Sequence, residues 1–191
     1  MQEAIDELHF HPRWFETGFL PDAFFARQLA HFRSGDDSGW QCLEHHRYAA
    51  FKTVLASHDD FNQEQLEQYI ALCLLDEDQS MADAALIDLL RWRGLTSEQY
   101  AYLAQHEAFS FAAAQKIIWR IRMRASLLLD SRSMALLDEI LEKQDPTFER
   151  ELVETVSLST EQLEVLAEKG ISRAVRNIAR NKLSGVNRNW S

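Results

Sequence analysis

The sequence predicts an all-α fold built from helical hairpins, and three observations predict it. The 191 residues include 46% apolar side chains but only 6 glycines and 3 prolines, a composition typical of a folded, helical chain. Apolar residues recur at helical spacing, for example Ala85, Leu86, Leu89 and Leu90, and no segment alternates as a strand would. A short helix-start pattern also recurs along the chain. At this length we expect a single domain, residues 1–191.

Residues 1–60 are expected to form an N-terminal cap and the first helical pair. The segment from Phe10 to Leu20 is too rich in aromatic side chains for a free tail, so we expect it to pack across the first helices. Helices are predicted over 22–33 and 40–57, because glycines and small polar residues fill positions 34–39 between them.

Three segments share the helix-start pattern. Each has an N-cap residue with a side-chain oxygen, a glutamine three residues later and an apolar residue on either side. An oxygen at the N-cap accepts hydrogen bonds from the free amides of the first turn, and the glutamine completes a capping box. The apolar neighbours fit a hydrophobic staple. The capping pairs are Asn62 and Gln65, Thr96 and Gln99, and Ser159 and Gln162; the staple pairs are Phe61 and Leu66, Leu95 and Tyr100, and Leu158 and Leu163.

A fourth, degenerate copy is predicted over 129–134, with Asp130 as the N-cap and Leu129 and Met134 as the staple. The starts at 61, 95, 129 and 158 are 34, 34 and 29 residues apart, which is the period of a two-helix repeat. We therefore expect about four helical hairpins over 61–183 and a frayed tail over 184–191. The first helices are predicted over 64–75, 98–105, 133–143 and 161–169, and the second helices over 81–93, 109–124, 148–156 and 172–181.

These repeated units resemble helical solenoids of the HEAT and armadillo kind. The resemblance covers about residues 61–183, and the stretch from Leu158 to Leu183 is similar to the short units of leucine-rich-repeat-variant and HEAT-like bacterial proteins. It implies a right-handed α-α superhelix, a solenoid of helical hairpins with an irregular N-terminal cap. It implies little about activity, because such arrays include binding proteins, scaffolds and a few enzymes.

The chain is acidic, with 30 aspartates and glutamates against 20 lysines and arginines, a net charge of −10. This charge opposes binding to duplex DNA or to an anionic membrane unless positive side chains are segregated. Cys42 and Cys73 lie in apolar stretches and are expected to be buried, reduced thiols. Because the first residues are acidic and no apolar run approaches the ~20 residues of a membrane span, we expect a cytoplasmic protein that does not enter a membrane.

Positive charge is concentrated in the second half of the chain. Residues 1–90 carry a net charge of −12 and residues 91–191 a net charge of +2. Arginine dominates, which suits bidentate pairing with carboxylate or phosphate. Because second helices line one face of a helical array, two basic stripes are predicted as a partner-binding surface. The stripes consist of Lys116, Arg120 and Arg124, and of Arg173, Arg176 and Arg180.

The alternative is that these arginines pair with carboxylates of neighbouring helices or are simply solvated, because exposed ion pairs are common and weak. Arg122 falls out of register with its stripe and is expected to pair or to extend along the surface. The candidate partners are Glu139, Glu142, Glu149, Glu151 and Glu154.

Signals for catalysis or metal binding are weak. Adjacent His45 and His46 point about 100° apart on a helix and cannot chelate one ion together, whereas an extended segment would allow His9 and His11 to do so. Surface or capping roles are expected for the seven histidines. No phosphate-binding loop, nucleophile elbow or zinc-protease motif occurs. We therefore predict no catalytic residue, no metal and no cofactor.

The favoured function is a non-enzymatic interaction or scaffold module whose second helices bind an acidic or amphipathic segment of another protein. The alternative is a nucleic-acid-associated HEAT-like protein, such as a DNA-acting enzyme, that follows a phosphate backbone with an arginine-lined groove. A steep loss of affinity with added salt would distinguish the second from the first. Trp92 and Trp119 lie inside amphipathic helices, where core packing is expected rather than stacking on bases or sugars.

Overall fold

The computed structural model describes residues 2–35 and 42–188, and over these ranges the chain is helical and contains no strand. The all-α prediction is confirmed, whereas the superhelical arrangement stays a prediction. Two short 3-10 helices lie at Pro12–Phe15 and Glu107–Phe109. The α-helices described in these ranges are α1 (Gln2–Leu8), α2 (Asp22–Ser34), α3 (Leu43–Ser57), α4 (Gln63–Leu74), α5 (Gln79–Arg91), α6 (Ser97–Leu103), α7 (Ala112–Leu129), α8 (Met134–Lys143), α9 (Pro146–Thr155), α10 (Thr160–Lys169) and α11 (Arg173–Arg188).

The chain divides into two compact units, unit 1 (Met1–Ile117) and unit 2 (Ile118–Ser191), and the division falls within α7. The single domain, like the repeat boundaries at 61 and 183, stays a prediction. Residues 36–41, which include most of the predicted 34–39 loop and the predicted start of the 40–57 helix, lie outside the described residues, as do 189–191 of the predicted tail.

An aromatic cluster forms part of the core of unit 1. The ring of Trp14 contacts those of Phe10, Phe25 and Phe51 edge to face, with centroids 6.0, 6.4 and 4.8 Å apart. Such pairs align the positive edge of one ring with the negative face of another. Phe19 is buried as well. The rings of Phe10 and Trp14 thus pack against α2 and α3, whereas the cap over the first helices stays a prediction.

A buried ion pair joins α3 to the turn after α4. The guanidinium of Arg47 donates from Nε and Nη2 to the carboxylate of Asp76, over 3.0 and 3.2 Å, and the two side chains are only 4% and 2% exposed. Nη1 donates to the Leu8 carbonyl oxygen at the end of α1. A buried charge is tolerated when it is paired and hydrogen-bonded. Through these bonds Arg47 links α3 to the end of α1 and to the turn after α4.

The three predicted capping boxes are confirmed at α4, α6 and α10. In each, the N-cap oxygen accepts from the amide of the glutamine, and the glutamine Oε1 accepts from the N-cap amide. The paired distances are 2.9 and 2.9 Å at Asn62, 3.2 and 3.0 Å at Thr96, and 3.2 and 2.9 Å at Ser159. These bonds satisfy amides that the first helical turn leaves free.

The predicted start of the fourth copy is wrong. Ser133, not Asp130, is the N-cap of α8, and its Oγ accepts from the Leu136 amide over 3.4 Å. The reason is that α7 continues to Leu129 and the amide of Asp130 still bonds back to Ser126, so Asp130 closes one helix instead of opening the next. Leu129 is exposed and therefore is not part of a staple.

Two second helices differ from their predicted bounds. The helix predicted over 109–124 begins at Ala112, because His106 caps a 3-10 helix at Glu107–Phe109 first. The helix predicted over 172–181 continues to Arg188, through most of the tail that was expected to fray. The remaining helices begin and end within three residues of their predictions.

The core of unit 2 is formed by apolar faces of α7 to α11. Trp119 is buried, as predicted, and its ring lies 5.1 Å from that of Phe148. Its indole Nε1 donates to Glu139 over 3.1 Å, which satisfies the one polar atom it carries. The other buried members are Met123, Leu127, Leu137, Ile140, Leu152, Val153, Leu163, Leu166, Val175 and Ala179.

Candidate functional site

The structure places Arg120 in an ion pair instead of on a free surface. Its Nε and Nη2 each donate to the carboxylate of Asp145 over 2.8 Å. Asp145 is 2% exposed and is also the N-cap of α9, where its Oδ1 accepts from the amides of Thr147 and Phe148. Every charge in this cluster is matched, so Arg120 anchors the start of α9.

Arg124 is also paired. It donates from Nε and Nη2 to the two carboxylate oxygens of Glu151, over 2.6 and 2.7 Å, and its guanidinium lies 5.6 Å from the ring centre of Phe148. The arginine holds the pKa of Glu151 below its ordinary value, chiefly through these hydrogen bonds. Arg122 donates to Glu139, as its position out of register predicted. Pairing with neighbouring carboxylates was the alternative that the sequence left open.

The second stripe lies on α11. Arg176 donates from Nη1 to the carbonyl oxygens of Gly170 and Ile171, over 2.6 and 3.4 Å, and Arg180 donates to that of Ala167 over 3.0 Å. A cationic side chain at these positions is stabilised by the free carbonyl groups at the end of α10 and by the negative end of its dipole. Arg173 is exposed at the first residue of α11, and Lys116 is exposed on the part of α7 that belongs to unit 1.

An apolar groove lies in unit 2 between the end of α7 and the length of α9. Its volume is about 500 Å³. The side chains of Leu128 and Leu129, at the end of α7, are 88% and 90% exposed. Leu128 lines the groove, and Leu129 follows it in sequence. The lining residues are Arg124, Leu127, Leu128, Ser131, Phe148, Glu151, Leu152, Thr155, Val156 and Ser157.

Sequence reasoning missed this groove, although a signal was present. Leu127, Leu128 and Leu129 are consecutive, and successive residues on a helix point about 100° apart. One apolar face cannot contain all three. In the structure Leu127 enters the core and the other two face outward.

Helix α9 carries a buried carboxylate, that of Glu149. Glu149 is fully buried; its Oε2 accepts from the Ile171 amide over 2.8 Å, and its Oε1 has no hydrogen-bond partner within the described chain. Burial raises the pKa of Glu149, with a smaller contribution from the charge of Asp145. The hydrogen bond ties α9 to the turn before α11, so the role of this side chain is structural.

A smaller cleft in unit 1 lies between α3 and α5, with a volume of about 320 Å³. The hydroxyl of Tyr48 donates to Asp88 over 2.6 Å at one end, and the indole of Trp92 donates to the Leu55 carbonyl oxygen over 2.8 Å at the other. Burial, together with the hydrogen bond to Asp88, raises the pKa of Tyr48 to about 12. A phenol held protonated in this way is a poor base or nucleophile near neutral pH.

The histidines have mixed roles. His11 and His106 accept from backbone amides at the starts of the two 3-10 helices, as expected for capping. The expectation is wrong for His46, which is fully buried and lies 2.7 Å from the side-chain oxygen of Gln28. Within residues 2–35 and 42–188, no three His, Cys, Asp or Glu side chains are grouped so that they could hold a metal ion. No helix in the same ranges is both long and apolar enough to cross a membrane.

Comparisons with protein-family models, with curated proteins and with solved structures found no match to this chain.

Proposed function

We propose that the protein is a non-enzymatic, cytoplasmic helical-repeat module of the HEAT-like superhelical kind, and that the groove of unit 2 binds an amphipathic segment of a partner protein. The exposed side chain of Leu128 on the groove wall supports the proposal most directly. Covering a leucine that is 88% exposed removes apolar surface from water and so stabilises the complex with the partner. Contiguous apolar surface of this kind is typical of interaction sites.

The groove favours an amphipathic segment over a purely acidic one. Its walls are apolar where Leu127, Phe148 and Leu152 contribute, which suits the apolar face of a short helix. Arg124 on its wall is already paired with Glu151, so an acidic segment would have to replace an existing carboxylate. The hydroxyl groups of Ser131, Thr155 and Ser157 on its walls offer hydrogen bonds to the polar face of such a segment.

The basic stripes remain a second proposal for the surface that contacts the partner. Lys116 and Arg173 are exposed. Arg120, Arg124, Arg176 and Arg180 donate to carboxylates or carbonyl oxygens. The same bonds leave fewer donors for phosphate. For this reason we favour a protein partner over nucleic acid.

A selection experiment tests the proposed groove. A random library of peptides of about 16 residues, roughly four helical turns, is selected against the intact chain, and enriched peptides are titrated by fluorescence anisotropy. We expect peptides with apolar residues at helical spacing, and Leu128→Gln should weaken their binding at least roughly tenfold.

The matched control is Leu74→Gln, which removes a 52% exposed leucine in unit 1, outside the groove. It should leave peptide affinity unchanged. Enriched peptides that bind Leu128→Gln as tightly as the parent would contradict the proposed site, and so would a selection that enriches no amphipathic sequence.

A further inference from the structure

We infer that the groove of unit 2 takes, as its partner, the end of α7 from a second copy of this chain. The inference rests on the proposed function, because it names the occupant of the same groove. Each copy carries both halves of the contact: a groove beside α9, and two protruding leucines, Leu128 and Leu129, at the end of α7.

The placement of these two features favours a closed pair of chains. The groove and the leucines are adjacent on one surface, since Leu128 belongs to both. When a projection and its receptor lie on the same patch, a two-fold axis through the patch brings each projection onto the other copy's receptor. The contact is then made twice, and each groove and each pair of projecting leucines is occupied. Assembly therefore stops at two copies.

Leu129 is the projection that the groove of its own chain does not use. It is 90% exposed and is absent from the groove wall, whereas Leu128 contributes to that wall. Burying two adjacent leucines this exposed against another molecule is favourable, because it removes apolar surface from water. A leucine from a second copy matches the apolar walls around Phe148 and Leu152 in chemistry.

Charge allows copies to approach through unit 2. Residues 118–191 carry a net charge of +1, whereas residues 1–117 carry a net charge of −11. Like charges would therefore oppose self-association through unit 1 far more than through unit 2. At the groove itself, Arg124 and Glu151 neutralise each other, so two identical rims meet without net repulsion.

The test is sedimentation velocity of the full chain, from low micromolar concentration to about 200 µM. We expect the parent to show a concentration-dependent dimer. Leu129→Gln replaces the projecting apolar side chain and should raise the dimer dissociation constant about tenfold or more, because the substitution acts at both contacts. This variant is expected to fold normally, because the replaced side chain is exposed.

A second variant blocks the groove and leaves the projection intact. Thr155 is exposed on the groove wall, and Thr155→Trp should fill part of the groove and weaken the dimer. An equal mixture of Leu129→Gln and Thr155→Trp keeps one unaltered contact per mixed pair, so it should form more dimer than either variant alone. Leu74→Gln should match the parent.

A parent that stays monomeric at the highest concentration would overturn the inference, and so would a Leu129→Gln variant that dimerises like the parent. Failure of this kind is distinct from failure of the proposed function. Selected peptides that bind a monomeric chain at the groove, and lose affinity with Leu128→Gln, would leave the proposed function supported while the second copy is rejected as the occupant.

Discussion

The side-chain amide of Gln99 donates to the carbonyl oxygen of Phe61 over 2.7 Å, while its Oε1 completes the capping box of α6. Phe61 precedes the N-cap of α4, so the glutamine that caps one helix also binds the start of an earlier one. Gln162 of α10 does the same at the start of α8, donating to the carbonyl oxygens of Ser131 and Ser133 over 3.1 and 3.4 Å. Each unit thus contains a capping-box glutamine that also binds the backbone at the start of an earlier helix.

This double role predicts the effect of Gln99→Glu. A glutamate still accepts from the Thr96 amide, because Glu and Gln both occur at this position of a capping box, but it cannot donate to Phe61. Leaving the Phe61 carbonyl oxygen without its donor in a buried site should lower the free energy of unfolding by about 1 to 3 kcal/mol. Urea unfolding measures the change.

Gln65→Glu is the matched control, because the capping box at Asn62 is exposed. It should change stability by less than about 0.5 kcal/mol. Equal losses in the two variants would show that the contact with Phe61 contributes nothing beyond the box.

Charge reversal should separate Arg120 from Arg124. Arg120→Glu leaves the buried carboxylate of Asp145 beside a second negative charge, and we expect a loss of about 3 to 5 kcal/mol. Arg124→Glu breaks a pair whose side chains are partly exposed, and it should cost about 1 kcal/mol or less. Thermal melts of the two variants under one buffer condition give the comparison. Similar losses would contradict the difference in burial between Asp145 and Glu151.

Glu149 predicts a pH dependence of stability. Burial raises its pKa in the folded chain, so the folded state binds its proton more tightly than the unfolded state. Its contribution is therefore greatest below the unfolded pKa of about 4.3 and falls as pH rises through the folded pKa. Glu149→Gln should remove this contribution, so the variant gains stability relative to the parent as pH rises toward neutral.

The measurement is urea unfolding of parent and Glu149→Gln at several pH values from about 4 to 7. Other carboxylates, such as Glu151 with its lowered pKa, have the opposite dependence but are common to both chains. A constant difference in stability across this range would contradict the raised pKa of Glu149.

Gly94 predicts a steric effect in unit 1. A Cβ atom at this position would lie 2.5 Å from the Asp59 carbonyl oxygen and closer still to the indole of Trp92. Gly94→Ala should therefore lower the free energy of unfolding by about 1 to 3 kcal/mol, because the close-packed neighbours must shift.

Gly185→Ala should have the opposite effect and raise the free energy of unfolding. Gly185 lies within α11, a Cβ there would meet no atom within 4 Å, and alanine favours the helix by up to about 1 kcal/mol. Chemical denaturation of both variants checks the pair, and a neutral Gly94→Ala would show that Trp92 moves aside without cost.

The sequence alone determined the features that depend on neighbours within one helical turn. The capping boxes at Asn62, Thr96 and Ser159 were predicted because both partners lie three residues apart, and helical geometry alone brings them together. The same local reasoning placed the start of the fourth copy at the wrong residue. Asp130 and Ser133 both have capping oxygens, and only the extent of α7 decides between them.

The tertiary structure decided which arginines are paired and which leucines face outward. The bond from Arg120 to Asp145 spans 25 residues and that from Arg47 to Asp76 spans 29, so neither follows from any local spacing. The sequence shows where the arginines lie but not which carboxylates they bind, because several carboxylates are nearer to Arg120 in sequence than Asp145 is. Helical periodicity predicted an apolar face for α7, but only the packing of the unit 2 core buries Leu127 and leaves Leu128 and Leu129 exposed. Long-range pairing is chosen by how helices pack, and packing depends on all of the side chains together.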